Sequence, residues 1–183
     1  MNASRPRKPR PPLDDRRLEE LALFYVGRFA TTRAKLRTYL ARKVRERGWE
    51  GEREPDLANI AERFASQGYI NDAEFALGKA RSLAARGYGK RRLVEKLHVS
   101  GVEEQDSAAA RELSDSQAVE AALRFAERRR LGPFATSLPD PPQREKMIGA
   151  MVRAGHSFAL ARTIAGMPPG APVNAEELAE RIR

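Results

Sequence analysis

Apolar residues recur along this chain at three- and four-residue spacing, and glycine, proline or a capping side chain interrupts them at intervals. Such a period belongs to amphipathic helices rather than strands. The clearest stretch runs from Gly68 to Gly101. It reads as a helix ending at Gly68, a helix capped by Asn71 or Asp72, a joint at Gly87-Tyr88-Gly89, and a further helix. Phe75, Ala76 and Leu83, then Leu93 and Leu97, supply its core-facing positions.

The same plan extends both ways. Asp14 or Asp15 caps a helix reaching about Phe29, with Leu18, Leu21, Ala22 and Tyr25 on one face. Thr31 or Thr32 caps the next, whose stripe is Leu36, Leu40 and Val44. Gly48 follows as a stop, where a residue without Cβ adopts positive φ cheaply. Pro55, at a first helical position, opens a third helix with Leu57, Ile60, Ala61 and Phe64 inward. A weaker helix over Glu103 to Leu113 has Ala109 and Leu113 as its apolar face. A new cycle begins at Ser114-Asp115 and runs to about Leu131, and the segment through Pro139, Pro141 and Pro142 reads as a connector. Helices over 143–154 and from Ser157 to about Ala165 complete it. A Pro/Gly linker then leads to a marginal helix started by Asn174-Ala175-Glu176-Glu177.

Three of these helices share one frame. Leu93-x3-Leu97-x3-Gly101 matches Met147-x3-Met151-x3-Gly155, and Leu36-x3-Leu40-x3-Val44-x3-Gly48 repeats it with an extra turn. The expected fold is therefore all-α: an elongated tandem array of three three-helix repeats whose neighbours complete one another's core. The expected boundaries are a disordered basic tail over 1–13, repeats over 14–70, 71–113 and 114–167, and a linker with the marginal helix over 168–183.

Composition changes the picture in one direction. The 183 residues carry a formal charge of +9, with 32% charged and 7% aromatic residues. Small helical units with thin cores suit those figures, and a polyanionic partner suits the charge. The absence of cysteine excludes disulfides and thiolate chemistry. No apolar run approaches the roughly 20 residues of a membrane span, and residues 1–12 hold four basic residues and four prolines rather than a signal sequence. A cytoplasmic location is the expectation.

The positive charge is concentrated. Residues 28–49 hold eight Lys or Arg against Glu46, and residues 79–96 hold seven against Glu95. The candidate partner-binding residues are Arg33, Lys35, Arg37, Arg42 and Lys43 in the first block. In the second they are Lys79, Arg81, Arg86, Lys90, Arg91, Arg92 and Lys96. Leu93 and Leu97 point to the core, so Arg91 and Arg92 are expected to point outward. Arg128-Arg129-Arg130 ends a helix, where the dipole welcomes cations.

Catalytic chemistry finds no support. His98 and His156 stand near helix ends, where capping or packing suffices, and they offer no metal-ligand spacing. Gly87-Tyr88-Gly89-Lys90 lacks the spacing of a phosphate loop and follows a helix. Glu103-Glu104 and Glu176-Glu177 suit helix starts, and Trp49, Tyr69 and Tyr88 suit packing over helix ends. No cofactor, metal or small-molecule substrate is expected.

Two segments carry a family resemblance. Gly68-Tyr69-Ile70-Asn71-Asp72-x2-Phe75-Ala76, then Arg81-Ser82 and Gly87-Tyr88-Gly89-Lys90-x2-Leu93-x3-Leu97-x3-Gly101-Val102, resembles the signature of the RecX family. Ala22-x2-Tyr25-x2-Arg28-x3-Thr32-x3-Leu36-x3-Leu40 is similar to that family's first repeat. The usual Gly-Pro before the middle helix is Tyr88-Gly89 here, and the turn around Val44–Gly48 is extra. The resemblance implies a regulator, not an enzyme. RecX-like proteins bind the RecA recombinase filament on single-stranded DNA and mostly suppress its strand-exchange, ATPase and coprotease activities, within DNA repair, recombination and the SOS response. The alternative from a different class is a stand-alone basic helical module for single-stranded nucleic acid. An adaptor that uses its repeats only for packing is a third.

Overall fold

The computed structural model describes residues 11–182. Among them it is all-α, as expected: ten α-helices, one 3-10 turn at Gly132–Phe134, and no strand beyond an isolated bridge between Leu13 and Trp49. The chain divides into two compact units, one ending at Asp72 and the other beginning at Ala73.

The first unit is built from α1 (Asp15–Arg28), α2 (Arg33–Arg47) and α3 (Leu57–Ser66). Each starts on a side chain that accepts an otherwise orphaned N–H. Asp14 takes that of Arg17 at 2.7 Å, Thr32 that of Lys35 at 3.1 Å, and Asp56 that of Asn59 at 2.9 Å. Because Asp56 is the cap, α3 starts at Leu57 and Pro55 lies before it, outside the helical position expected for it. The expected stripes meet in one core, with Leu18, Ala22, Leu36, Leu40, Ile60, Ala61 and Phe64 all buried.

Residues 1–10, most of the expected tail, lie outside the described residues. Leu13, assigned to that tail, is fully buried in the first core. Its N–H bonds the Gly48 carbonyl and its carbonyl accepts from Glu50, both at 2.9 Å. One apolar residue beside a proline-rich run has no period to announce it. Burial and two backbone bonds decide its place.

The remaining helices are α4 (Asp72–Ala85), α5 (Lys90–Val99), α6 (Glu104–Ser116), α7 (Ala118–Arg129), α8 (Pro141–Arg153), α9 (Phe158–Ala165) and α10 (Ala175–Glu180). The second unit holds two clusters. One gathers Ala76, Ala80, Leu83, Leu93, Leu97 and Ala110, and the other gathers residues of α7, α8 and α9 around Phe125, Met151 and Ile164. Tyr88 packs against both.

Four expectations need correcting here. The inward face of α6 is Ser107, Ala110 and Ser114, not Ala109, because Ser107 satisfies its hydroxyl on the Glu104 carbonyl at 2.8 Å and can be buried. The boundary expected at 113/114 falls inside α6, which continues to Ser116. Pro141 and Pro142 form the first turn of α8, where proline lacks only an N–H that has no helical partner. Asp140 and Gln143 close a capping box around that turn. Finally, α10 does not stand alone. Leu178 is buried, and the linker is tied down by Gly170 N–H donating to the Pro133 carbonyl at 2.8 Å.

Candidate functional site

The candidate cations of α2 sort by helical geometry. At about 100° per residue, Lys35, Tyr39, Arg42 and Lys43 fall on one stripe, and Arg37 lies on another face. Arg42 and Lys43 both pair with Glu46, at 3.3 and 2.6 Å, and both stand over the Tyr39 ring, 5.6 and 5.8 Å from its centroid. Arg37 is exposed.

Arg33 belongs to the scaffold rather than the partner-facing surface. Its N–H and Nε donate to the two carboxylate oxygens of Asp72 at 3.1 and 3.2 Å, and Nη1 reaches Glu62 at 3.4 Å. Asp72 is 3% exposed at the side chain. Burial opposes the Arg33 charge, but the hydrogen bond and charge of Asp72, with Glu62 behind, outweigh it and hold its pKa above the usual arginine value. Nothing in the sequence joins residues so far apart.

In the second unit the cations scatter more. Lys79 on α4 and Arg86 in the turn after it stand over the Phe75 and Tyr88 rings, 5.2 and 5.3 Å from the centroids. Arg81 lies about 200° away from Lys79 around the helix. Lys90 pairs with Asp115, and Arg92 with Glu95 at 3.2 Å. Arg81, Arg91 and Lys96 are exposed and make no ion pair among the described residues. The expected outward pair therefore splits. Arg91 is open, whereas Arg92 is half-buried where α5 meets the end of α8.

That meeting is a backbone joint. Gly89 and Arg91 donate their N–H groups to the carbonyls of Ala154 and Gly155 at 3.0 and 3.2 Å. The positive start of α5 thus faces the negative end of α8, a favourable pairing of helix dipoles. The end of α4 is capped from the same side: the carbonyls of Ala84, Arg86 and Gly87 accept from Arg124, Arg128 and His156 respectively. The expected capping role for His156 is what the structure shows, and Arg128 has a structural partner.

His156 is buried, with Nε2 at 3.1 Å from the Gly87 carbonyl. A carbonyl only accepts, so Nε2 carries the proton. Nδ1 has no partner among the described residues. Burial lowers the His156 pKa below 6.5, against a smaller opposing effect of the Gly87 carbonyl. A depressed histidine pKa means that the unfolded chain binds the proton first as pH falls. Stability is therefore expected to drop on acidification from pH 7.5 to 5.5. His156→Gln should flatten that slope, as urea midpoints at the two pH values will show.

Aromatic side chains add a feature that the charge counts overlooked. Tyr25 stacks on Tyr39 with centroids 4.2 Å apart and planes 14° from parallel, and Phe29 tilts against Tyr25 at 5.4 Å. Arg28 stands over Phe24 at 5.5 Å. Phe24 and Phe29 are 57% and 53% exposed. The signal was present in the chain: residues 21–45 contain no acid, seven Lys or Arg, and these four aromatics.

Comparison with known proteins identifies the lineage. No protein-family model matches the chain. A Regulatory protein RecX of Myxococcus xanthus is 32% identical over 176 residues, covering 90% of each chain. This chain belongs to the RecX family. A RecX of Agrobacterium fabrum is 29% identical over 150 residues, covering 80% of each chain. A crystal structure of RecX from Lactobacillus salivarius shares the fold at a TM-score of 0.59 with 18% identity, covering 81% of this chain and 92% of that one. RecX-family membership makes this a regulatory protein by lineage. Among the described residues no cluster of His, Asp or Glu could hold a metal ion, and no helix is long and apolar enough to cross a membrane.

Proposed function

We propose that this protein binds the RecA–DNA filament in the cytoplasm and lowers the recombinase, ATPase and coprotease activities of RecA, without catalytic activity of its own. Family membership carries the reading, since the likeness to a regulatory RecX runs over nine-tenths of both chains. Three three-helix repeats, α1–α3, α4–α6 and α7–α9, form the proposed scaffold. The middle helix of each is followed by a glycine at positive φ, Gly48 at 83°, Gly101 at 65° and Gly155 at 98°. Arg37, Arg81, Arg91 and Lys96 are the cations best placed to meet a partner, because they are exposed and form no ion pair among the described residues. Lys35 is also within reach of a polyanion, as are Arg42, Lys43, Lys79, Arg86 and Lys90 through side chains that already touch rings or carboxylates.

DNA-dependent ATP hydrolysis by RecA, titrated with the protein at modest salt, tests the reading. Turnover should fall at substoichiometric to comparable amounts, and unchanged turnover and strand exchange would retire it. Arg91→Glu combined with Lys96→Glu should weaken filament binding about tenfold, with helicity unchanged, since like charges now face the polyanion. The competing reading as a nucleic-acid module predicts tighter binding to bare single-stranded DNA than to RecA-coated DNA, with a steep salt dependence.

A further inference from the structure

We infer that the end of α1 and the adjoining stripe of α2 form a stacking platform that binds single-stranded nucleic acid directly. Two phenylalanines more than half exposed, Phe24 in the last turns of α1 and Phe29 at its end, are not needed to cover the core of the first unit. The setting of Phe29 is rigid, and Phe24 carries Arg28 over its ring. Phe29 leans on Tyr25, and Tyr25 stacks on Tyr39, which packs against the core and carries Arg42 over its ring. Rings held in this way lose little freedom when a base stacks on them.

Charge selects the occupant. Within the acid-free span of residues 21–45, Arg28 over Phe24 and Arg42 with Lys43 over Tyr39 give the platform a positive border. The acids that bracket this span are already paired: Glu20, one turn before Phe24, with Arg16 at 3.0 Å, and Glu46 with Arg42 and Lys43. Aromatic faces flanked by cations are what unpaired bases and their phosphates require: the ring takes a base of any sequence, and the cation takes the backbone. Duplex DNA keeps its bases stacked internally and offers these rings nothing beyond its phosphates. The platform therefore discriminates single strands from duplex. This inference stands apart from the filament reading, because it concerns bare nucleic acid.

Anisotropy of a labelled twenty-nucleotide oligo-dT and of a twenty-base-pair duplex, titrated with the full chain at several salt concentrations, tests it. The F24L/F29L variant keeps apolar bulk but removes both π-faces. It should bind oligo-dT at least tenfold more weakly, with the same salt slope, and bind duplex as the parent does. Circular dichroism of the variant should match the parent, since both positions are exposed. Equal oligo-dT binding by parent and variant overturns the inference, as does no binding by either, or an equal loss on duplex. Loss of RecA inhibition with oligo-dT binding intact overturns it too, and makes the patch a protein-docking face. Oligo-dT binding that depends on both rings, together with RecA turnover insensitive to the parent protein, retires the filament reading and leaves this one in place.

Discussion

Gly89→Ala is expected to lower the unfolding free energy by about 3 kcal/mol, the upper end for adding a methyl group to a closed contact. The backbone at Gly89, with φ −86° and ψ 174°, is open to any residue, so the cost is steric alone. A Cβ there would lie 2.3 Å from the Gly155 oxygen, 2.4 Å from its carbonyl carbon and 2.6 Å from the His156 nitrogen. All three are backbone atoms and cannot rotate aside. Relief means parting α5 from α8, which strains the bonds from Gly89 and Arg91 to the Ala154 and Gly155 carbonyls. Urea unfolding followed by circular dichroism measures the loss. Gly78→Ala is the control: a Cβ there meets nothing within 4 Å, and it lies inside α4. Alanine should gain up to about 1 kcal/mol at such a helical position. Equal stability of the two variants would show that the joint is not closed in solution.

Asp72→Ala should cost about 3 kcal/mol, because it removes the buried partner of Arg33 and the acceptor for the first N–H of α2. The Arg33 side chain is 24% exposed, and water there keeps the cost from rising further. Asp72→Asn keeps an acceptor but loses the charge, so about half the loss is expected. Were Asp72 only a cap for its own helix, alanine would cost about 1 kcal/mol and asparagine almost nothing. Urea midpoints of the two variants separate these cases, and a neutral asparagine variant would sink the ion-pair account.

Both residues were visible in the sequence, but only their local part was legible. Gly89 marked a joint, and Asp72 offered a cap. Local pattern reports what a residue does to its own turn, but the Gly89–Gly155 contact and the Arg33–Asp72 pair are made over long chain separations. The α6 face shows a second limit. Hydrophobicity pointed to Ala109 and Leu113; Leu113 does pack against the core, but the helix turned Ser107, Ala110 and Ser114 inward instead of Ala109, because a serine that bonds its own helix can be buried. The candidate cations were partly legible. Counting located two positive blocks, but it could not tell Arg91, which is exposed, from Arg92 at the joint, or from Arg33 on Asp72.

The sequence by itself determined the helical class, most helix bounds, the glycine stops and the positive charge. Each follows from short-range physics: side-chain period, capping geometry, the freedom of glycine at positive φ, and a simple sum of charges. Tertiary structure alone decided which caps cross between helices, where Leu13 and α10 are held, and which cations are already spent on carboxylates and carbonyls. It also assembled Tyr25, Phe29 and Tyr39 into one braced patch, with Arg28 set over the nearby Phe24. Those outcomes depend on which surfaces meet in space, and the packing of helices, not the order of residues within each, sets that.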